Sequence, residues 1–517
     1  MTCGGEGAEW IDGIPRAPRH GHCTSHLQPV KATLLRRAAA AGNVQVVGSG
    51  DKMGQYGIIW FMIIFLNLVW TGGSLYKEKG RAQKKTGQYL GRITEDGLIP
   101  PREKKPTVSE VIATREYGAS SFLLSIGSEI LEHLKDSFPE DYSTIYTLAV
   151  LRVIERCPFK RADFLYERSY LSEVFGKLAL SPAKLTSFLR IFGMKREQHV
   201  GFMKEYLSDS RYILFDGTNI ISASEGMDIN RMGYNSHRQY DPQVNLMYAF
   251  STDEHRPGYY RVIPGNIRDV SAFKKSVEEL GLSNTVIIAD KGFGSEQNFA
   301  LLEESNLKYI IPLRRNNGHC NRERLKSGNK DSFDGYFLFN RKAIWYYSYE
   351  QNKKRYLMFL DETLKAKEER DYLQNLEAGK EDFTHEGFME RQYSFGTIAF
   401  HTNLSDDPKE IYCLYKTRGE IEQTFDFLKN LLDQDHTYLQ DKYAVEAWAF
   451  INHISLMLVY EIYSRLKSAD LLSKYSVQDF IVHLKYIQRL KINNSWVTGE
   501  ISGKTQKLLD VLAIHIT

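Results

Sequence analysis

The sequence predicts an α/β protein: a sheet core, interrupted by a β-rich insertion and flanked by helical regions on its N-terminal and C-terminal sides. Three observations carry this expectation. From about Arg211 the chain turns to short apolar runs separated by turns, with helical patterns between them, the mark of an α/β sheet. Between about 316 and 393 this gives way to DGYFLFNRKAIWYYSYE and KRYLMFLDE, which read as antiparallel strands, and to a polar helix, LKAKEERDYLQNLEAG. Helical spacing dominates outside these limits, from Thr107 to about Ser210 and again after Asp407.

Composition narrows the class. At roughly 100–200 residues per domain, 517 residues suggest two to four domains. Apolar residues at 42% and charged residues at 25% exclude wholesale disorder, collagen and a polytopic membrane protein. The 67 basic and 64 acidic residues leave a net +3, too little to imply nucleic-acid binding without local segregation of charge. The five cysteines, Cys3, Cys23, Cys157, Cys320 and Cys413, are scattered and odd in number, so a reducing, cytoplasmic setting is expected rather than a disulfide framework.

Six segments follow in order. Residues 1–75 form an atypical leader, either a domain of another kind or a misassigned start. Within it Ile58–Trp70 is almost wholly apolar, yet shorter than the ~20 residues a spanning helix needs, so a buried strand or helix is expected there and a membrane anchor is not. His20, His22, Cys23 and His26 lie together but match no standard zinc spacing. Residues 76–210 combine a basic stretch with a helical region, a candidate for DNA binding. Lys77–Lys105 holds nine basic and four acidic residues, read either as a solvated linker or as an arm that touches phosphates. Thr107 and Glu110 have capping-box spacing, TIYTLAVLRVI is a buried helix, and Ser181-Pro182 starts a helix that Gly193 stops. Residues 211–315 open the sheet core, 316–393 are the insertion, 394–435 return to the core, and 436–517 are a helical tail. There His453 and Trp448 read as core residues.

Three carboxylates stand out. Asp216 and Asp290 each close an apolar run, and each is followed at once or one residue later by Gly. In an open α/β sheet, ligands bind beyond the carboxyl ends of strands, and oxygen donors placed there suit Mg²⁺ or Mn²⁺. Asp-Gly is also a common turn dipeptide, so either residue alone reads equally well as a turn. The third carboxylate is Glu422, in IYCLYKTRGEIEQTFDFLKN. At ~100° per residue, Tyr415, Arg418, Glu422 and Lys429 fall within a stripe about 60° wide on one helix face. Such a face can hold metal through Glu422 and phosphate through the cations, or it is a solvated face with an ordinary Arg418–Glu422 pair.

The spacing of Tyr415, Arg418, Glu422 and Lys429 resembles the signature of a large group of bacterial DDE insertion-sequence transposases. LFDGT, with Asp216, and IIADKGFGSEQN, with Asp290, resemble the segments holding that family's first two catalytic aspartates. PGNIRD and the helical tail also look like the family's, from about Leu75 onward. The resemblance implies an RNase H-like core with Asp216, Asp290 and Glu422 as catalytic and metal-holding residues. It implies two Mg²⁺ or Mn²⁺ ions about 3.5–4 Å apart on one phosphodiester, without a covalent protein–DNA intermediate. Tyr415, Arg418 and Lys429 would contact DNA, with Lys291, Arg314 and Arg315 as further candidates for the same groove.

The expected activity is therefore cutting of an insertion sequence at its ends and joining of those ends to target DNA. The expected partners are double-stranded DNA, with terminal inverted repeats and a target site, and a second copy of the chain as a homodimer. The protein would lie in the cytoplasm, associated with the nucleoid. Two alternatives remain: a nuclease of the same fold that cuts without joining, and a non-catalytic DNA-binding regulator or inactive remnant.

Overall fold

In the computed structural model the described residues are 68–70, 75–78, 81–84, 89–94, 97–99 and 111–516, except 236, 237, 268, 493 and 494. The His20–His26 group, most of the Ile58–Trp70 run and the Thr107/Glu110 capping box lie outside them. Among the described residues no helix is long and apolar enough to cross a membrane. The chain divides into two units, residues 1–105 and 106–517.

In the first unit the described residues are all strand. β1 (Leu68–Trp70), β4 (Tyr89–Thr94) and β5 (Gly97–Ile99) form one antiparallel sheet, and β2 (Leu75–Glu78) and β3 (Arg81–Lys84) form a hairpin. Within the basic stretch Lys77–Lys105 the described residues are strand.

The second unit opens with a strand where a helix was expected. β6 (Val111–Glu116) carries the β-branched residues Val111, Ile112 and Thr114, which favour extended backbone. It pairs with β18 (Gln488–Ile492), and β18 with β19 (Ser495–Thr498), so the C-terminal region is helical with a strand pair added. Helices then dominate up to Glu205. The Tyr142–Glu155 helix is buried along nearly its whole length. Pro182 starts the next helix directly after Ser181, and the helix ends at Gly193. Gly193 is there for contact more than for termination: a Cβ at that position would lie 1.7 Å from the Tyr443 carbonyl oxygen.

The central sheet comprises β7 (Tyr212–Ser222), β8 (Arg231–Tyr234), β9 (Tyr240–Ser251), β10 (Arg256–Pro264), β11 (Val286–Ala289), β12 (Lys308–Pro312), β13 (Gly335–Phe339), β14 (Lys342–Gln351), β15 (Lys354–Asp361), β16 (Thr397–Thr402) and β17 (His436–Thr437). Its order is β10-β9-β7-β11-β12-β16-β15-β14-β13, with β8 on β9 and β17 on β7. The strands β10, β9 and β7 are antiparallel, and β7, β11 and β12 are parallel. Three antiparallel strands followed by two parallel ones are the RNase H-like core. The insertion does not stand apart from it. β16 returns antiparallel to β12, and β15, β14 and β13 extend the same sheet outward.

The 27-residue helix Lys442–Ser468 binds the unit together, packing against the Pro182–Gly193 helix, the Tyr142–Glu155 helix and β10. Charged groups buried at this junction are paired, as burial requires. Arg196 reaches Glu279 at 2.6 Å and Glu446 at 2.8 Å, and Tyr260 donates to Glu446 at 2.9 Å. Burial opposes the Glu446 charge, but Arg196, His199 and Tyr260 outweigh it and hold the carboxyl down at about 2. Trp448 and His453 lie in this core, as expected. His453, however, has no hydrogen-bond partner among the described residues: it packs beside the Tyr248 and Tyr260 rings, and burial holds it neutral, at about 3.

Candidate active site

β7 does not end at Asp216, as the Asp-Gly dipeptide suggested, but runs on to Ser222. Its two edges explain why. On one side β9 continues the ladder past the aspartate, Gly217 facing Met247 and Ile221 facing Gln243. On the other side the β11 ladder stops at Ala289, opposite Phe215, and β17 takes up that edge only at Ile221. The sheet is therefore open beside Gly217, Thr218 and Asn219. Asp290 follows Ala289 directly, so the parallel register sets it beside Asp216 at the mouth of this opening.

The third contribution comes from the segment after β16. Asp407 accepts from Lys409 N–H at 2.8 Å and Pro408 opens the helix, which runs to Lys416. It is not one straight helix through Leu432. At Thr417 and Arg418 the backbone N–H groups reach back three residues, to Leu414 and Tyr415, which tightens the turn. The helix resumes over Gly419–Asp426 and then widens into a π turn, Phe427–Leu431. The uniform 100° step assumed for the stripe therefore fails at both ends of the Glu422 segment.

The tightened turn places Arg418 at the centre of the carboxylates. Its Nη2 lies 2.6 Å from Asp216 Oδ2, and its Nη1 lies 3.8 Å from Asp290 Oδ1 and 3.2 Å from Glu422 Oε1. Three carboxylates from β7, the end of β11 and the helix thus meet one guanidinium. Tyr415 stands next to them, 9% exposed, its ring 4.6 Å from Phe400, with burial pushing its hydroxyl up to about 12. The π turn directs Lys429 elsewhere, to Asp435 at 3.8 Å. Of the four stripe residues, three gather at the site and Lys429 does not join them.

Asp216 is the most enclosed of the three carboxyls. Burial raises its pKa, and the opposing pull of Arg418 and of the Gly217 N–H, 2.8 Å away, does not fully offset it. Glu422 is the most open, with 64% of its side chain exposed. An all-carboxylate donor set is the chemistry that Mg²⁺ or Mn²⁺ takes. No three His, Cys, Asp or Glu side chains among the described residues enclose an ion in this conformation. The donors fit a divalent cation, and the guanidinium stands between them.

A groove of about 710 Å³ opens from Gly217–Asn219. Lys291 and Arg314 both line it, both are exposed, and neither makes a salt bridge among the described residues. Arg315 points away, pairing with Glu368 at 2.9 Å and with the Thr397 carbonyl at 3.4 Å. The opposite wall includes Tyr234 and Tyr240, which sequence reasoning missed. The available signal was their alternation with polar residues in RMGYNSHRQYDPQV.

Comparison with known proteins gives three results. Residues 207–458, just under half of the chain, match the family model of the transposase DDE domain. No curated protein matches the sequence. Among solved structures, a piggyBac transposase synaptic complex with hairpin DNA matches at 13% identity and a TM-score of 0.34, over 66% of this chain and 69% of that one. A Mos1 transposase paired-end complex with the left transposon end matches at 11% identity and a TM-score of 0.14, over 41% of this chain and 61% of that one. Likenesses this distant leave the reading of the site to its own geometry.

Proposed function

We propose that this chain is a metal-dependent DNA transposase of the DDE kind, which cuts the ends of an insertion sequence and joins them to target DNA. One observation carries the reading: Asp216, Asp290 and Glu422, from three separate elements, converge on Arg418 within the span that matches the transposase DDE domain. Asp216, Asp290 and Glu422 would together hold two divalent cations. Cations bound there would stabilise the leaving oxygen and lower the pKa of an attacking water or DNA 3′-hydroxyl.

The chain's own side chains do the rest. Arg418 leaves the carboxylates for a phosphate oxygen, an exchange of one anion for another that a planar guanidinium suits. Tyr415 turns its hydroxyl toward the same phosphate. Lys291 and Arg314 hold the strand that enters the groove, and Lys429, on the π turn, meets the backbone further along. Double-stranded DNA with terminal inverted repeats, a target duplex, a homodimeric complex and a bacterial cytoplasmic setting belong to this reading.

The test is cleavage of a plasmid carrying the sequences that flank the gene, with Mg²⁺ or with EDTA, by wild type and Glu422→Gln. The expected result is metal-dependent cutting at the ends by wild type, and binding without cutting by the variant. Binding by both proteins and cutting by neither, with Mn²⁺ included, would replace this reading with the DNA-binding regulator. Cutting without strand joining would leave a nuclease of the same fold.

A further inference from the structure

The groove beside Asp216 has two unlike walls. One carries Lys291 and Arg314. The other carries Tyr234 on β8 and Tyr240 on β9, paired directly across the strands, with ring centroids 5.4 Å apart and planes inclined by 58°. Both rings are solvent-exposed, at 59% and 71%. Among the described residues no carboxylate lines the groove, and Asp216 and Asp290 directly precede its lining residues Gly217 and Lys291.

We infer that this groove is a binding site for a single DNA strand, whose bases stack on Tyr234 and Tyr240 while Lys291 and Arg314 hold its phosphates. The inference rests on the transposase reading and specifies its substrate: DNA whose strands are separated next to the scissile phosphate.

Three features favour one strand over a duplex. About 710 Å³ is the size of a pocket that encloses a small ligand, commonly about 300–1,000 Å³, and it takes up a short stretch of one strand. Cations along one side and aromatic faces along the other are how proteins hold single-stranded nucleic acid without reading its sequence. A stacked pair in a duplex would leave no base face for the tyrosines, whereas an unpaired strand presents one at every nucleotide.

The floor is built to keep the walls in place. A Cβ at Gly265 would lie 2.0 Å from the Gln243 carbonyl, and one at Gly233 would lie 2.3 Å from the Gly265 carbonyl, so backbones close up there without side chains. Asn245 donates to the Gly265 and Ile267 carbonyls, both at 3.2 Å, fixing the loop after β10. These contacts hold β8 and β9, which carry Tyr234 and Tyr240, against the loop after β10.

The experiment measures binding of the full chain, in EDTA so that no cutting occurs, to two probes of the same flanking sequence. One is a blunt duplex and the other ends in a short single-stranded extension. Wild type is expected to bind the extended probe more tightly. Tyr240→Ala and Tyr234→Ala are each expected to remove that preference, weakening the extended probe by on the order of tenfold and leaving the duplex unchanged. Tyr240→Phe, which keeps the ring, is expected to retain it.

Equal binding of both probes by wild type overturns the inference and leaves the transposase reading intact. So does a preference that survives both alanine variants. Equal weakening of both probes together with a lowered melting temperature assigns the tyrosines to bracing the hairpin, and overturns it too. Failure of wild type to bind either probe overturns both readings.

Discussion

Arg418 Nη2 lies 2.6 Å from Asp216 Oδ2, and the same guanidinium faces Asp290 and Glu422. A single cation thus offsets part of the charge of three carboxylates that would otherwise repel one another. It also competes with any divalent ion for their oxygens. Arg418→Gln removes the competitor and keeps a polar, uncharged and shorter side chain. We expect its affinity for Mn²⁺ in the absence of DNA, read by electron paramagnetic resonance, to rise about tenfold or more, since like charges freed of a cation bind another more tightly. DNA cleavage should fall at the same time, because the phosphate contact is lost. Unchanged or weaker Mn²⁺ binding would show that the guanidinium does not compete with the ion.

Much of this arrangement was legible in the chain. Asp216, Asp290 and Glu422 could be named because three short local motifs, LFDGT, IIADKGFGSEQN and the Tyr415-Arg418-Glu422-Lys429 spacing, together resemble one group of transposases, whereas each alone reads as a turn or a solvated face. What the sequence hid was non-local. That β7 continues past Asp216 depends on β9 extending beyond β11, which no window of residues around Asp216 records. Lys429 seemed to share a face with Arg418 because a constant turn angle was assumed. The tightened turn at Thr417 and the π turn at Phe427 break that assumption. β6 finds its partner in β18, some 370 residues later, so its strand character rested on propensity alone.

Tyr415 separates packing from contact. Its ring is seated on Phe400 and almost fully enclosed, so Tyr415→Ala should cost about 3 kcal/mol or more of stability, read from urea unfolding. Tyr415→Phe keeps that packing and should fold like wild type. Loss of the hydroxyl should still weaken binding to end DNA several-fold. If Tyr415→Phe binds DNA with wild-type affinity, the residue serves the core alone.

Gly193 sets the distance between two helices. Its place is 1.7 Å from the Tyr443 carbonyl as measured from an ideal Cβ, and that atom is backbone and cannot rotate away. Gly193→Ala therefore has to push the Pro182–Gly193 helix off the long Lys442–Ser468 helix. Ordinarily Ala in a helix gains up to about 1 kcal/mol over Gly. Here we expect the reverse, a loss of about 2 kcal/mol or more in chemical unfolding, in the range of core overpacking. A stabilised variant would mean that the helices separate without penalty.

Glu116 gives the fold a pH dependence opposite to that of a carboxylate paired with a cation, such as Glu446. Burial raises its pKa from 4.5 to about 7, although it accepts from Ala119 N–H at 2.8 Å, Ser120 N–H at 3.2 Å and the Ser120 hydroxyl. Those three donors favour the charged form, and the enclosed site outweighs them. The folded chain therefore holds a proton that the unfolded chain releases near 4.5. This contribution to stability is fully present below pH 4.5 and is lost as pH rises through about 7. Glu116→Gln keeps an acceptor for the helix N–H groups and has no charge to bury. Relative to this variant, wild type should lose on the order of 2 kcal/mol between pH 5 and pH 8 in urea unfolding. Parallel stability profiles for the two proteins across that interval would show that Glu116 is already ionised in the fold at pH 5.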